Sequence, residues 1–344
     1  MILDDVKRII QSFFDVETLT VVGSGLSVSE GIPGMKELAE LLVEQVPKGL
    51  SDFDISNWHL ISEDLKQGTD LETAMQNNPP NKEVEEQIVK VTYNFISEKD
   101  RDVFYEILQK QKVLRFSNYL SMFHTELYPL TVITTNYDLL IEYACENLRV
   151  AYNDSYVGKI IADFNPELAT QEISKATKVG SKLVNNKNGL RLYKPHGSIN
   201  WKIIDNRLIK VNHFDCGSPC IITPGTNKYL KGYDEPYDYH IGAIGAEFDK
   251  AKKIVFIGYG FNDEHLQTHF SSLKNRNKPM LIITRTLSDK AKMFVNGKKE
   301  IIALEYSLED GQSGTKIHWE NEVEFFKGLN MWDLRELVKE VFNE

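Results

Sequence analysis

The chain has 344 residues, 42% hydrophobic and 26% charged, with a formal net charge of −10 at pH 7. This is ordinary globular composition for one large or two smaller domains, with enough chain to bury a sizeable core. The acidic balance argues against direct nucleic-acid binding over the surface, and no apolar run is long enough to span a membrane. The N-terminal residues are acidic and amphipathic rather than a signal peptide, and the odd, sparse cysteine set fits a reducing, cytoplasmic setting.

Residues 4–14 have the spacing of an amphipathic helix, 18–23 read as a buried strand, and Met35, Leu38, Leu42 and Val46 mark a helix. Residues 52–128 are charged and mostly helical without a clear strand, which predicts a helical insertion. Strand, loop and helix follow over 130–149. Residues 150–188 are polar and irregular, and Asn185-Asn186-Lys187-Asn188-Gly189 signals a turn. Strand-like runs come at 190–194, 199–204, 207–211 and 219–223, then a helix near 238–251, a strand at 253–258 and a helix at 263–275. A strand at 280–284, a helix at 287–295 and a strand at 300–304 follow. Residues 310–315 look like a linker loop, and a final helix or two run over 320–342. The alternation predicts an α/β fold, a Rossmann-like, mostly parallel sheet with helices on both faces. In such sheets the ligand crevice lies at the carboxyl ends of the strands.

Three loops that follow predicted strands carry unusual sequence. In 21–34, Gly23, Gly25, Gly31 and Gly34 permit tight turns and the close approach of a ligand. The helix that follows favours phosphate, although neither a P-loop nor a clean G-x-G-x-x-G is present. In Thr134-Thr135-Asn136-Tyr137-Asp138, Asn and Asp suit a helix N-cap. In 254–266, Gly258 and Gly260 follow an apolar strand, and Asn262 or Asp263 could cap the next helix; the other reading is a second face for a nucleotide. His196, between Pro195 and Gly197, sits on a turn rather than on an apolar face. Cys216 and Cys220, with His213 nearby, fall short of the four ligands of a closed zinc site; two small buried thiols are the reading preferred, and no metal is expected.

Gly23-Ser24-Gly25-Leu26-Ser27, Thr134-Thr135-Asn136-Tyr137-Asp138, His196-Gly197-Ser198 and Gly258-Tyr259-Gly260-Phe261 resemble, in order, the signature loops of the sirtuin-like NAD-binding fold. The resemblance covers roughly 18–305, discounting insertions. It divides the chain into a sirtuin-like domain over 1–50 and 129–305, a helical insertion over 51–128 and a C-terminal helical extension over 306–344. The stretches "YKPHGSINW", "ITPGTNKY" and "GYGFNDEHL" look most like bacterial sirtuin-like proteins of anti-phage defence, nearest to the partners of HerA-type ATPases. Ser24 and Thr135 stand where sirtuins usually have Ala and Gln. The two Cys pairs that hold the zinc of sirtuin deacylases are lacking, and with them a zinc ribbon.

The resemblance implies an NAD hydrolase giving ADP-ribose and nicotinamide, used in abortive infection. Asn136 is assigned to the nicotinamide ribose and the attacking water, and His196 is the general base. Gly23, Ser24, Gly25, Ser27, Thr135, Asp138, Gly258, Tyr259, Gly260 and Asn262 are assigned to NAD, Asp138 on the nicotinamide side or in support of its loop. A sirtuin-type deacylase or ADP-ribosyltransferase and a non-enzymatic nucleotide sensor are the alternatives. Expected partners are further copies of the chain, through Leu329, Trp332, Leu337 and Val341 of the terminal helix and through the insertion, and a HerA-type ATPase or another nucleotide-handling regulator.

Overall fold

β1 (Thr18–Val22) lies inside a nine-stranded sheet, paired in parallel with β2 (Leu130–Thr134) on one side and β12 (Lys253–Ile257) on the other. In this computed structural model the described residues are 2–125, 129–179, 182–187, 189–212, 216–224, 235–263, 266–269, 277–320 and 322–342, with 174–179 and 182–187 described by backbone alone. Beyond β2 the sheet continues in parallel with β8 (Leu190–Tyr193) and β3 (Tyr152–Asn153). Beyond β12 come parallel β13 (Met280–Thr284) and β14 (Ile301–Glu309), then antiparallel β15 (Gln312–Trp319) and β16 (Glu322–Lys327).

Every residue of β1 and β2 is buried, because helices cover both faces. Alternate side chains feed opposite cores. Val22, Val255 and Ile257 join one cluster with Val6, Phe116 and Leu337, whereas Val21, Ile254 and Phe256 join another with Ile244 and Phe248. The expected α/β architecture is therefore present. The chain leaves β1 toward β2 and returns later to β12, so the strand order reverses at β1. A crevice opens above such a switch point.

Between Asp52 and Lys110 lie α4 (Asp52–Lys66), α5 (Leu71–Asn77) and α6 (Lys82–Lys110). Ser51, Asp70 and Asn81 cap them by accepting from Asp54 N, Thr73 N and Val84 N. Their own core, with Trp58, Ile61, Met75 and Ile88, is rooted on Leu38 and Leu42 of the helix Met35–Gln45. The helix Arg115–Ser121 instead packs on the sheet through Phe116 and Tyr119.

Three expectations differ from the structure. Residues 150–188, expected to be irregular, hold β3, β4 (Tyr156–Val157), β5 (Ile161–Phe164), a helix at Pro166–Glu172, β6 (Ser174–Val179) and β7 (Lys182–Lys187). β4 and β5 join a second, antiparallel sheet with β9 (Gly197–Ile204), β10 (Arg207–Val211) and β11 (Ser218–Ile221), in the order β11-β9-β10-β5-β4. Strands this short have no readable periodicity, and β5 is held by β10, far along the chain. Second, Asp310-Gly311 is no linker. Both residues have positive φ, 49° and 73°, and they form the two-residue turn that joins β14 to β15. Third, the C-terminal stretch is not a helical extension: β15 and β16 finish the main sheet, and only Leu334–Phe342 is helical.

That helix buries Leu337 and Val341 in the chain's own core, while Leu329 and Trp332 precede it. The proposed apolar row is therefore not an open face. The helix expected at 263–275 is seen at 266–269; 264, 265 and 270–276 lie outside the described residues, as do His213 and the 225–229 part of "ITPGTNKY". No helix among the described residues is long and apolar enough to cross a membrane.

Candidate active site

The loops after β1, β2, β8 and β12 meet over the switch point and line one cleft. Of the residues singled out in the sequence, Gly23, Ser24, Ser27, Thr135, Asn136, Asp138, His196, Tyr259, Gly260 and Asn262 line it. Gly25 and Gly258 do not, and the reason is steric. A Cβ on Gly25 would stand 2.7 Å from Gly258 Cα, and one on Gly258, at φ +56°, would stand 2.5 Å from Leu26 N. A Cβ on Gly23 would likewise stand 2.6 Å from Gly258 O. These glycines let two loop backbones touch, with Gly25 N donating to Gly258 O at 2.9 Å. Their bareness serves loop packing as well as the cleft.

The polar centre is a short relay. Ser27 Oγ donates to Asp138 Oδ2 at 2.6 Å. Asn136 Nδ2 donates to Ser27 Oγ at 2.8 Å and to Gly23 O at 2.9 Å. A backbone carbonyl can only accept, so the amide nitrogen must face it. That orientation leaves Oδ1 as the free end of the Asn136 amide. Asp138 Oδ1 meanwhile accepts from Leu140 N at 3.3 Å, at the start of α8 (Leu140–Leu148). Asp138 thus supports its loop with both oxygens, one of the two roles the resemblance offered. Asn136 does not cap that helix.

His196 stands on the turn between β8 and β9. Gly197 follows at φ +83°, where a Cβ would meet Cys220 O at 2.1 Å, so only glycine fits. Two residues before His196, the fully buried Lys194 donates to Asp138 O at 2.6 Å and to Glu142 Oε1 at 2.9 Å, locking the β8 turn to the β2 loop. Burial pushes the Glu142 carboxyl up, and Lys194 pulls it back. Across the cleft, Asp263 Oδ2 lies 2.9 Å from His196 Nε2.

The insertion supplies the far wall through Asp70, Leu71 and Glu72. From α6, the buried Asp100 accepts from Leu139 N at 2.8 Å, one residue past Asp138, and from the Tyr143 hydroxyl at 2.5 Å. Burial pushes its carboxyl up to about 7, against the lowering effect of those two bonds.

Nothing in the sequence singles out Lys194, Asp100 or Glu72. Lys194 lies inside the quoted "YKPHG" stretch, but nothing there reports its burial. Asp100 and Glu72 are two of many acidic residues on charged helices. The sequence reads Asp263 as a helix cap. It is one, accepting from Leu266 N at 3.1 Å, and it also reaches His196.

Cys220 is buried and donates from Sγ to the Tyr237 hydroxyl at 3.1 Å, whereas Cys216 is partly exposed, so only one of the two is a buried thiol. Among the described residues no group of three or more His, Cys, Asp or Glu side chains could hold a metal ion.

No curated protein sequence matches the chain. Among solved structures it is similar to a Sir2 homolog–NAD complex (13% identity over 99% of this chain and 92% of that one, TM-score 0.41). It is likewise similar to a structure addressing sirtuin substrate affinity (15% identity, 95% and 93%, TM-score 0.43). The SIR2-like domain matches residues 130–301, half of the sequence, with the β2 and β8 loops, His196 and the β12 loop inside it. The chain belongs to the SIR2-like domain family.

Proposed function

We propose that the protein is an NAD+ glycohydrolase, cleaving NAD+ with water to ADP-ribose, nicotinamide and a proton. One observation carries this reading: Asn136, with its amide nitrogen tied back to Gly23 and Ser27, and His196 line the same cleft. Nicotinamide is already cationic in NAD+ and leaves as a neutral base, so neither a strong general acid nor a metal is required. The sugar passes through an oxocarbenium-like state. What accelerates such a step is holding the ribose and placing the water. The Oδ1 of Asn136 can accept from a ribose hydroxyl or that water without adding charge. His196, lining the same cleft, would take the proton. Gly23, Ser24, Ser27, Thr135, Tyr259, Gly260 and Asn262 would hold the rest of the dinucleotide.

Incubating the purified chain with NAD+ and following nicotinamide tests the reading. Release without an acylated peptide supports hydrolysis. Release only with such a peptide, with acyl transfer to the ADP-ribosyl group, would mark a deacylase, and binding without turnover a sensor.

The proposed biological setting is NAD+ depletion during anti-phage defence, with the chain as a homo-oligomer regulated by a HerA-type ATPase. The motif resemblance supports it. The terminal helix no longer does, since its apolar residues are spent on the core; the insertion remains the surface larger than a nucleotide cleft requires. Light scattering alone and with such an ATPase would remove the assembly claim if the chain stayed a monomer in both.

A further inference from the structure

We propose that Asp100, carried by the insertion helix α6, is a positioning residue of the site: together with Lys194 it grips the peptide bond between Asp138 and Leu139 and so sets the loop that holds Asn136 in the cleft. The part Asn136 plays in turnover rests on the hydrolase reading; the grip on the loop does not.

The peptide unit after Asp138 is held on both sides. Its carbonyl, Asp138 O, accepts from Lys194 Nζ at 2.6 Å, and its N–H, on Leu139, donates to Asp100 Oδ1 at 2.8 Å. Both gripping side chains are fully buried. They arrive from different parts of the chain, Lys194 from just past β8 and Asp100 from the insertion. Each is braced on α8: Lys194 donates to Glu142 Oε1 at 2.9 Å, and Asp100 Oδ2 accepts from the Tyr143 hydroxyl at 2.5 Å. One turn along α6 from Asp100, the Phe104 ring lies 5.2 Å from that of Tyr143.

A peptide unit is planar, so fixing its oxygen and its N–H fixes the plane, and with it the direction in which the Asp138 side chain leaves the backbone. Asp138 Oδ2 accepts from Ser27 Oγ, and Ser27 Oγ accepts from Asn136 Nδ2. Turning that plane would draw the carboxylate off Ser27 and release the relay that aims Asn136. The loop is also pinned at Tyr137 O, which accepts from Ile199 N at 3.0 Å. Ile199 and Lys194 come from the strands around the cleft; Asp100 brings the insertion to the same loop.

The competing role is a buried strut that only joins α6 to the rest of the chain. Asp100→Ala and Asp100→Leu, which keeps the shape, both remove the grip, so one variant remains where the other does not fold. Asp100→Asn keeps it, because its carbonyl oxygen accepts from Leu139 N while its NH2 group donates to the Tyr143 hydroxyl oxygen. Ile61→Val, inside the insertion's own core, loosens the insertion without touching the loop. The experiment is amide hydrogen exchange at Leu139 in 15N-leucine-labelled full-length protein, with the signal assigned through Leu139→Met, together with NAD+ kinetics well below each Tm. The Leu139 amide should be protected in the wild type and in Asp100→Asn, and should exchange freely in Asp100→Ala and Asp100→Leu. In those two variants kcat should fall on the order of a hundredfold with KM unchanged. Asp100→Asn and Ile61→Val should keep the wild-type kcat. An unprotected Leu139 amide in the wild type overturns the proposal and needs no variant to fold. So does a folded Asp100→Asn that loses the protection or the rate, an Asp100→Ala or Asp100→Leu that keeps the wild-type kcat, or a kcat loss that Ile61→Val reproduces. A wild type that leaves NAD+ intact defeats the hydrolase reading, while exchange at Leu139 still decides whether Asp100 grips the loop.

Discussion

The side-chain amide of Asn136 donates to the carbonyl of Gly23 at 2.9 Å, so the loop after β2 is tied to the loop after β1 at the strand where the sheet reverses. This makes Asn136 both a structural and a chemical residue, and one variant can weigh the two. Asn136→Ala strands Gly23 O and removes a donor from Ser27. That should cost about 1–3 kcal/mol, the range for a buried hydrogen-bonding group left alone, and the fold should survive. Nicotinamide release should vanish. A folded Asn136→Ala protein with wild-type release would remove Asn136 from the reaction.

Lys194 poses a different problem, because it is fully buried against Glu142. Lys194→Met deletes the cation and leaves a carboxylate in the core. Breaking a buried pair on one side costs about 3–5 kcal/mol. The double variant Lys194→Met/Glu142→Gln should regain a good part of that, since the uncompensated charge is gone. Urea unfolding of both measures it; equal losses would show that a stranded Glu142 charge is not what destabilises Lys194→Met.

The parallel sheet and three of the cleft loops were legible because the signals are local. An apolar run followed by glycine, or by Asn and Asp, marks a strand end whatever the tertiary context. Lys194 and Asp100 were not legible, because their meaning is a distance: 2.6 Å to Asp138 O for one and 2.8 Å to Leu139 N for the other. The hairpin at Asp310-Gly311 did carry a local signal, since Asp-Gly suits a turn with two positive φ values. It is masked by Ser313, Gly314 and Thr315, which follow. β16 reads weakly as a strand because its Glu322, Val323 and Glu324 are all exposed, so no buried face imposes an alternation.

Asp100 should make stability fall as pH rises. Its folded carboxyl titrates near 7, against about 3.9 when unfolded. Between those values the folded chain keeps a proton that the unfolded chain releases, so stability declines from pH 4 to 7 on this account. Asp100→Asn still offers Leu139 N an acceptor and never ionises. It should already exceed the wild type modestly near pH 5, and its advantage should grow by about 3 kcal/mol by pH 8. Denaturant unfolding at the two pH values checks this; an equal difference at both would mean Asp100 is ionised in the fold throughout.

His240 should act with the opposite sign. It is fully buried in an aromatic surround, stacked on Trp201 at 5.0 Å and met edge-on by Tyr193 and Tyr239. Neither ring nitrogen has a hydrogen-bond partner among the described residues. Burial pushes its pKa down to about 3, with a smaller opposing pull from Asp154. The unfolded value is about 6.5. The stability tied to keeping this ring neutral is therefore complete above pH 6.5 and is lost as pH falls toward 3, because the unfolded chain takes up the proton first. His240→Phe keeps the stacked ring and removes the proton site. At pH 7.5 it should be neutral or stabilising by about 1 kcal/mol, since two orphaned polar atoms leave the core. At pH 5 its advantage should grow by about 2 kcal/mol, the free energy of roughly 1.5 pH units at one proton each. Parallel urea titrations of the two proteins at pH 5 and 7.5 measure that growth. An advantage that does not change with pH would show that His240 takes up its proton in the folded state.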